Sequence, residues 1–88
     1  MKKAVITVIG KDTVGIIARV SSLLCENNIN ILDISQTIMQ DLFTMIMLVD
    51  MKDCKVGDLQ EELNAISDEM KLSIRVQSEE IFNSMHRI

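Results

Sequence analysis

The sequence predicts an α+β fold with the element order β-α-β-β-α-β, and two observations carry this prediction. Short segments rich in β-branched residues alternate with longer segments in which apolar residues recur every three or four positions. Of the four strand segments, the first and third are nearly all apolar, whereas the second and fourth alternate apolar with polar residues. Strands buried on both faces are continuously apolar, so the first and third should lie centrally and the other two at the edges.

An antiparallel sheet with the strand order 4-1-3-2 satisfies this requirement, and it is the ferredoxin-like βαββαβ sandwich. A final segment with apolar residues at helical spacing predicts a short C-terminal helix. The predicted elements are strand 4–9, helix 14–28, strand 30–39, strand 42–49, helix 56–70, strand 72–77 and helix 79–88.

The two helices between the strands should cover only one face of this sheet, yet the central strands carry apolar residues on both faces. The second face must therefore be covered by the C-terminal helix, by another subunit, or by both. This pattern predicts a homodimer or a higher homo-oligomer.

The composition excludes several classes of function. With 88 residues the chain predicts one domain, residues 1–88. A net charge of −4 and 2% aromatic residues argue against a nucleic-acid partner, which requires basic and stacking side chains. No apolar run approaches the roughly 20 residues of a membrane span, and no signal peptide is evident, so a cytoplasmic protein without a membrane partner is expected.

Cys25 and Cys54 are predicted to be free thiols, and the lone His86 predicts neither a metal site nor a catalytic triad. No cofactor is expected.

The segment GKDTVGI, from Gly10 to Ile16, links the first strand to the first helix. It has a purely structural interpretation, in which Thr13 caps the helix and Asp12 interacts favourably with the helix dipole. Gly10 then supplies an unusual backbone angle, and Gly15 lets the first helical turn pack closely.

A phosphate-binding interpretation is the weaker alternative. Acylphosphatases resemble this chain in having a glycine followed four residues later by an arginine, as Gly15 and Arg19 are here. Thr37 falls near the place where that family carries its catalytic asparagine, and the Val-Gln-Gly sequence of its loop is missing. An acylphosphatase-like hydrolase therefore stays a weak alternative, and we do not expect the protein to be an enzyme.

A closer resemblance covers most of the chain. Residues 8–35, VIGKDTVGIIARVSSLLCENNINILDIS, look like the core pattern of an ACT domain. Asp12, Gly15 and Ile16 match its turn, and residues 28–31 (NINI) match the opening of its second strand. The chain is similar to the small stand-alone ACT proteins of bacteria, and it also resembles the ACT domains of the glycine cleavage system repressor.

This resemblance implies an amino acid bound between subunits, where the turn of one copy meets the second strand of its neighbour. Asp12 would pair with the α-ammonium group, and Asn30 would both donate and accept hydrogen bonds. One departure is Val14, where the family often has proline. The ligand-binding residues that the resemblance implies are Gly10, Lys11, Asp12, Thr13, Val14, Gly15 and Asn30.

The sequence thus predicts a regulatory module that binds a small ligand, an amino acid by resemblance, and acts as a homo-oligomer. The principal alternative is a module that binds another protein through its sheet face and C-terminal helix without any small ligand.

Overall fold

A computed structural model describes residues 2–80, and its element order is the predicted one. The C-terminal helix was predicted over 79–88, and from residue 81 onward that prediction lies outside the described residues. The elements are β1 (Lys3–Lys11), α1 (Ile16–Glu26), β2 (Asn30–Met39), β3 (Leu42–Asp50), α2 (Val56–Met70) and β4 (Leu72–Ser78).

The four strands form one antiparallel sheet in the order β2-β3-β1-β4, which confirms the predicted arrangement. The two continuously apolar strands, β1 and β3, are central, and the two alternating strands are the edges. At the middle of the sheet Ile6 lies between Met47 of β3 and Val76 of β4. The difference between uniform and alternating hydrophobicity was therefore sufficient to order the strands.

Both helices pack against one face of the sheet, which we call the covered face. The strands and helices contribute alternate apolar residues to a single core there, as half-buried elements do. From the strands these are Ala4, Ile6, Val8, Phe43, Met45, Met47, Val49, Leu72, Ile74 and Val76. From the helices they are Ile16, Val20, Leu24, Leu59, Leu63 and Ile66. Within residues 2–80, neither helix has the length and the apolar run needed to cross a membrane.

The opposite face, which we call the open face, carries the remaining residues of the central strands. Val5 is only 6% exposed there, whereas Ile9 and Ile46 are each 42% exposed. The sequence predicted apolar residues on this second face, and the structure places them there. That the C-terminal helix or another subunit covers the exposed residues of the open face stays a prediction.

The helix α1 begins later than predicted, at Ile16, and its cap differs. Gly15 is the N-cap, with a left-handed φ of 92° and no capping side chain. The Thr13 hydroxyl instead donates a hydrogen bond to the Lys11 carbonyl, at 3.1 Å. The prediction of Thr13 as the cap was therefore wrong, because the chain turns through Gly15 before the helix starts.

The sequence predicted an unusual backbone angle at Gly10 and close packing at Gly15, and the structure shows the reverse. Gly10 lies within β1, and a Cβ added there would lie 2.6 Å from Leu72 Cδ2 and 3.3 Å from Leu72 Cα. A Cβ added to Gly15 would meet nothing within 4 Å, but its positive φ is one that side-chain-bearing residues rarely adopt. Gly10 is thus required for close packing and Gly15 for the turn.

The strand β2 also departs from the predicted alternation at one residue. Its pairing with β3 shifts register between Ile31 and Asp33, so Leu32 is a bulge residue. Ile34 and Ile38 share the covered side, as predicted, but Leu32 does not follow their pattern.

Candidate functional site

A small groove lies on the covered side of the sheet, between the start of α1 and the edge strand β2. Its volume is about 240 Å³. One wall is the turn and first helical residues, and the other is formed by β2 and β3. We call it the turn groove, and its lining residues are Asp12, Thr13, Gly15, Ile16, Ile17, Ala18, Gln36, Ile38 and Phe43.

Hydrogen bonds fix the turn that forms one wall of the groove. The Asp12 backbone N–H donates to the Asp41 carbonyl at 2.7 Å, which ties the turn to the β2–β3 hairpin. The Thr13 hydroxyl closes the turn onto the Lys11 carbonyl. The backbone of Asp12 is therefore held, and Asp12 is an exposed residue of the groove lining.

The start of α1 is the positive end of the helix dipole, opposite in sign to the Asp12 carboxylate. Its first backbone N–H groups have no capping side chain, and Gly15 lines the groove without a side chain of its own. Helix N-termini favour anions because of these unpaired donors and the helix dipole. The groove therefore combines a carboxylate with an anion-favouring helix start, while Ile17, Ile38 and Phe43 provide apolar walls.

Only some of the ligand-binding residues that the resemblance implied line the turn groove. Asp12, Thr13 and Gly15 line the groove, whereas Gly10 lies in β1 beneath Leu72. Outside the groove lining are Lys11, exposed at the end of β1, and Val14, whose side chain is 98% exposed.

Asn30 lies at the opposite end of β2 from the turn groove. It lines a second cleft of about 400 Å³, which we call the distal cleft, together with Ser21, Cys25, Asn28 and Lys52. Nine residue steps of a strand, each about 3.3 Å, separate Asn30 from the end of β2 beside the turn. Within one chain, Asn30 therefore does not reach the turn groove.

Gln36 is the polar side chain of the groove that the sequence analysis missed. It lies on the covered side of β2, between Ile34 and Ile38, opposite Met45. A polar residue interrupting an otherwise apolar side of an alternating strand was the available signal, since Ile34, Gln36 and Ile38 are spaced by two.

The groups that an acylphosphatase would need are not brought together. The Arg19 guanidinium makes two hydrogen bonds to the Glu69 carboxylate, at 2.7 and 3.2 Å, and so links α1 to α2. Thr37 pairs with Thr44 on the open side of the sheet, whereas the turn groove is on the covered side. The geometry therefore gives this alternative no support.

The edge of β2 exposes several large apolar side chains. Among residues 2–80, nine large apolar side chains are exposed, and the strand register places four of them, Ile9, Met39, Leu42 and Ile46, on the open face. Apart from Ile9 and Ile46, the exposed apolar residues lie in β2 or in the segments beside it. They are Val14, Ile17, Leu32, Ile34, Ile38, Met39 and Leu42.

Apart from the bulge at Leu32 and the charge of Asp33, the β2 edge lacks the features that keep edge strands from pairing. Its ten residues, NILDISQTIM, include no lysine and no proline, and Asp33 is its one charged residue. The opposite edge, β4, is seven residues long and carries Arg75. Long edges without lysine or proline pair readily with another chain. The groove and the edge thus lie side by side at one boundary of the sheet.

The βαββαβ topology, with a groove at its first strand-to-helix turn, places the chain among the small ferredoxin-like domains. The chain belongs to the ACT domain family, whose model matches residues 2–77. ACT domains generally bind small ligands such as amino acids in regulatory proteins, and they commonly dimerise. This membership confirms the resemblance seen in the sequence.

Individual relatives agree with the family assignment. The UPF0237 protein of Clostridium acetobutylicum is 58% identical over 89 residues, which cover 98% of this chain and 99% of the relative. The ACT domain protein from Streptococcus pneumoniae superimposes with a TM-score of 0.81 at 40% identity, over 92% of this chain and 93% of that one. A structure assigned as a glycine cleavage system transcriptional repressor matches in fold, with a TM-score of 0.78 at 23% identity, over 88% of this chain and 45% of that one.

The two cysteines differ in exposure, and Cys25 lines the distal cleft. Cys25 is exposed, whereas partial burial raises the pKa of the Cys54 thiol, as do the carboxylates of Glu62 and Asp58. A higher pKa means less thiolate near pH 8, and the thiolate is the nucleophile. We therefore expect iodoacetamide at pH 8 to alkylate Cys25 several-fold faster than Cys54, measured by mass spectrometry of peptides. The difference should vanish in denaturant, and equal rates in the folded protein would contradict this assignment.

Proposed function

We propose that the protein is an amino-acid-binding regulatory module that acts as a homodimer, with the ligand held where the turn groove of one copy meets β2 of the other. The observation that carries this proposal is the position of the turn groove beside the unpaired, apolar edge of β2. A half-open groove at a surface that favours pairing is a site that a second copy would complete. Membership of the ACT family supports the same arrangement.

A two-fold pairing of β2 strands would bring the start of β2, with Asn30, close to the turn groove of the other copy. An antiparallel pairing centred near Ile34, at the middle of β2, sets Asn30 of one copy beside Ile38 of the other. Such a pairing extends the sheet across both copies and keeps all helices on one side of it. The distal cleft of one copy then adjoins the turn groove of the other, so each dimer would have two equivalent composite sites.

The ligand would act by favouring one arrangement of the two copies. It shifts that equilibrium only by as much as its affinities for the two arrangements differ. A ligand that contacts both copies has such a difference, because separation of the copies removes half of its contacts. The dimer arrangement would then be sensed by a partner protein.

The first experiment is thermal unfolding of the protein in the presence of each of the twenty common L-amino acids, with molar mass measured in parallel. A ligand present at 100 times its Kd stabilises the folded state by about 2.7 kcal/mol. In a domain of this size, that shift raises Tm by on the order of 10 °C. A flat panel would overturn the proposal.

Replacing Asp12 by asparagine tests the role of its carboxylate. Asp12→Asn keeps the shape of the side chain but removes the charge that would pair with the α-ammonium group. We expect it to weaken binding roughly tenfold or more, as loss of a charged hydrogen bond does. Asp41→Asn is the matched control, because Asp41 is also exposed and contacts the same turn through its backbone. Equal affinity of the two variants would remove Asp12 from the site.

One observation favours the second candidate, a protein-binding module without a small ligand. Ile9, Ile46, Leu42 and Met39 leave an apolar region on the open face, which the edge pairing of β2 does not cover. If no amino acid binds and lysine at Ile46 abolishes self-association, this candidate replaces the first.

A further inference from the structure

We infer that Lys52 of the second copy completes the site, so that it takes an aliphatic L-amino acid as a zwitterion, with the ammonium group on Asp12 and the carboxylate on Lys52. This inference rests on the proposed function, and it adds a residue that lies outside the turn and outside β2. It also specifies the chemical class of the ligand.

The position of Lys52 is fixed by the strand that precedes it. Asp50, the last residue of β3, pairs with Asn30 at the start of β2. The Lys52 backbone N–H donates to the Asp50 side chain at 3.1 Å, and Lys52 itself has a left-handed φ of 52°. This turn places the lysine in the lining of the distal cleft, next to Asn30.

The Lys52 side chain is available for a ligand. It is exposed, and within residues 2–80 the salt bridge present joins Arg19 to Glu69 and does not involve Lys52. The other distal-cleft residues near Asn30 are neutral, among them Ser21 and Asn28. Lys52 is therefore the one charged group that the distal cleft would bring to the composite site.

The charges of the two halves are complementary. The turn groove contributes the Asp12 carboxylate, and the distal cleft contributes the Lys52 ammonium group from the other copy. A ligand with only one charge would leave one of these groups without its counterpart, which is costly in a partly desolvated site. An α-amino acid carries both charges on adjacent atoms and would link the two copies through them.

The residues that line the turn groove determine which ligand side chain can be accommodated. Ile17, Ala18, Ile38 and Phe43 line the turn groove. Gln36 and Thr13 are its neutral polar side chains, and Asp12 is its single charged residue. A charged ligand side chain would find no opposite charge along these apolar walls, whereas a branched aliphatic chain would be buried against them.

The test compares L-leucine with L-leucinamide, which lacks the carboxylate, on the unmodified protein and on Lys52→Asn. Asparagine tolerates a left-handed φ, so this variant preserves the turn. Lys71→Asn is the matched control, because Lys71 is also an exposed lysine with a left-handed φ, 56°, at the end of α2. Binding is measured by calorimetry, and molar mass is recorded for each variant.

We expect L-leucine to bind the unmodified protein and Lys71→Asn equally, and to bind Lys52→Asn roughly ten- to hundredfold more weakly. L-Leucinamide should bind weakly to all three, with no further loss in Lys52→Asn. Unchanged L-leucine affinity in Lys52→Asn would overturn the role of Lys52. Binding of a charged amino acid in preference to L-leucine would overturn the ligand class, and both results would leave the proposed function intact. Failure of all twenty amino acids to bind would overturn both.

Discussion

Replacing Ile34 by lysine is expected to leave the protein monomeric at micromolar concentrations at which we expect the unmodified chain to be dimeric. Ile34 lies at the middle of β2, and its side chain is 43% exposed. In a two-fold antiparallel pairing centred there, Ile34 of one copy faces Ile34 of the other. A single substitution then removes two apolar contacts and places two like charges opposite each other, which is destabilising across paired strands.

The loss should be roughly hundredfold or more in the dimerisation constant, because central, well-buried interface residues contribute about 2 kcal/mol or more. Sedimentation equilibrium of the variant over a range of concentrations measures it directly. Binding of L-leucine should be lost together with the dimer, since the composite site needs both copies.

Ile46→Lys is the matched control for this substitution. Ile46 is 42% exposed, nearly the same as Ile34, but it lies on the open face of the central strand β3. A lysine there should be tolerated, and the dimer should persist. If Ile46→Lys dissociates the dimer and Ile34→Lys does not, the copies associate through the open face, and the composite site cannot form as proposed.

Much of the fold could be predicted because hydrophobic periodicity is a local property. The predicted bounds of β2 and α2, 30–39 and 56–70, are those observed. The contrast between nearly uniform and alternating strands was enough to place the edges, because burial on two faces leaves few positions for polar side chains. The start of α1 was predicted less well, since Gly15 sets it by its backbone conformation and not by its hydrophobicity.

The site could be predicted only in part, because its residues meet through the tertiary fold. The turn itself supplied Asp12 and Gly15, which are three positions apart in the sequence. Gln36 reaches the groove because β2 returns beside α1, and no local pattern specifies that approach. Asn30 lies far from the turn within one chain, so its participation depends on an assembly that periodicity does not describe.

Gly10 is another residue whose role depends on the tertiary fold, because it packs against Leu72 on the neighbouring strand. Its two neighbours across the sheet are Phe43 and Leu72, and the Leu72 side chain occupies the space above it. Leu72 is 7% exposed and belongs to the core. A side chain at position 10 would therefore compete with Leu72 for one position on the covered face.

Gly10→Val is expected to destabilise the fold by about 2 kcal/mol, since overpacking forces strained side chains and shifts of the backbone. For a domain of this size, Tm should fall by on the order of 10 °C. Gly57→Ala is the control, because Gly57 lies in α2 and a Cβ added there meets nothing within 4 Å. That variant should be unchanged or up to about 1 kcal/mol more stable, since alanine favours helix.

Gly10→Val also tests whether Gly10 contributes only to packing or also to ligand binding. If Gly10 acts only beneath Leu72, then Gly10→Val measured well below its own Tm should keep the affinity of the unmodified protein for L-leucine, because the turn-groove residues are elsewhere. A loss of affinity without a loss of stability would instead make Gly10 a ligand-binding residue, as its place in the turn first implied. A loss of stability alone would mean that the first glycine of GKDTVGI is retained for the core, and that recognition in this turn begins at Asp12.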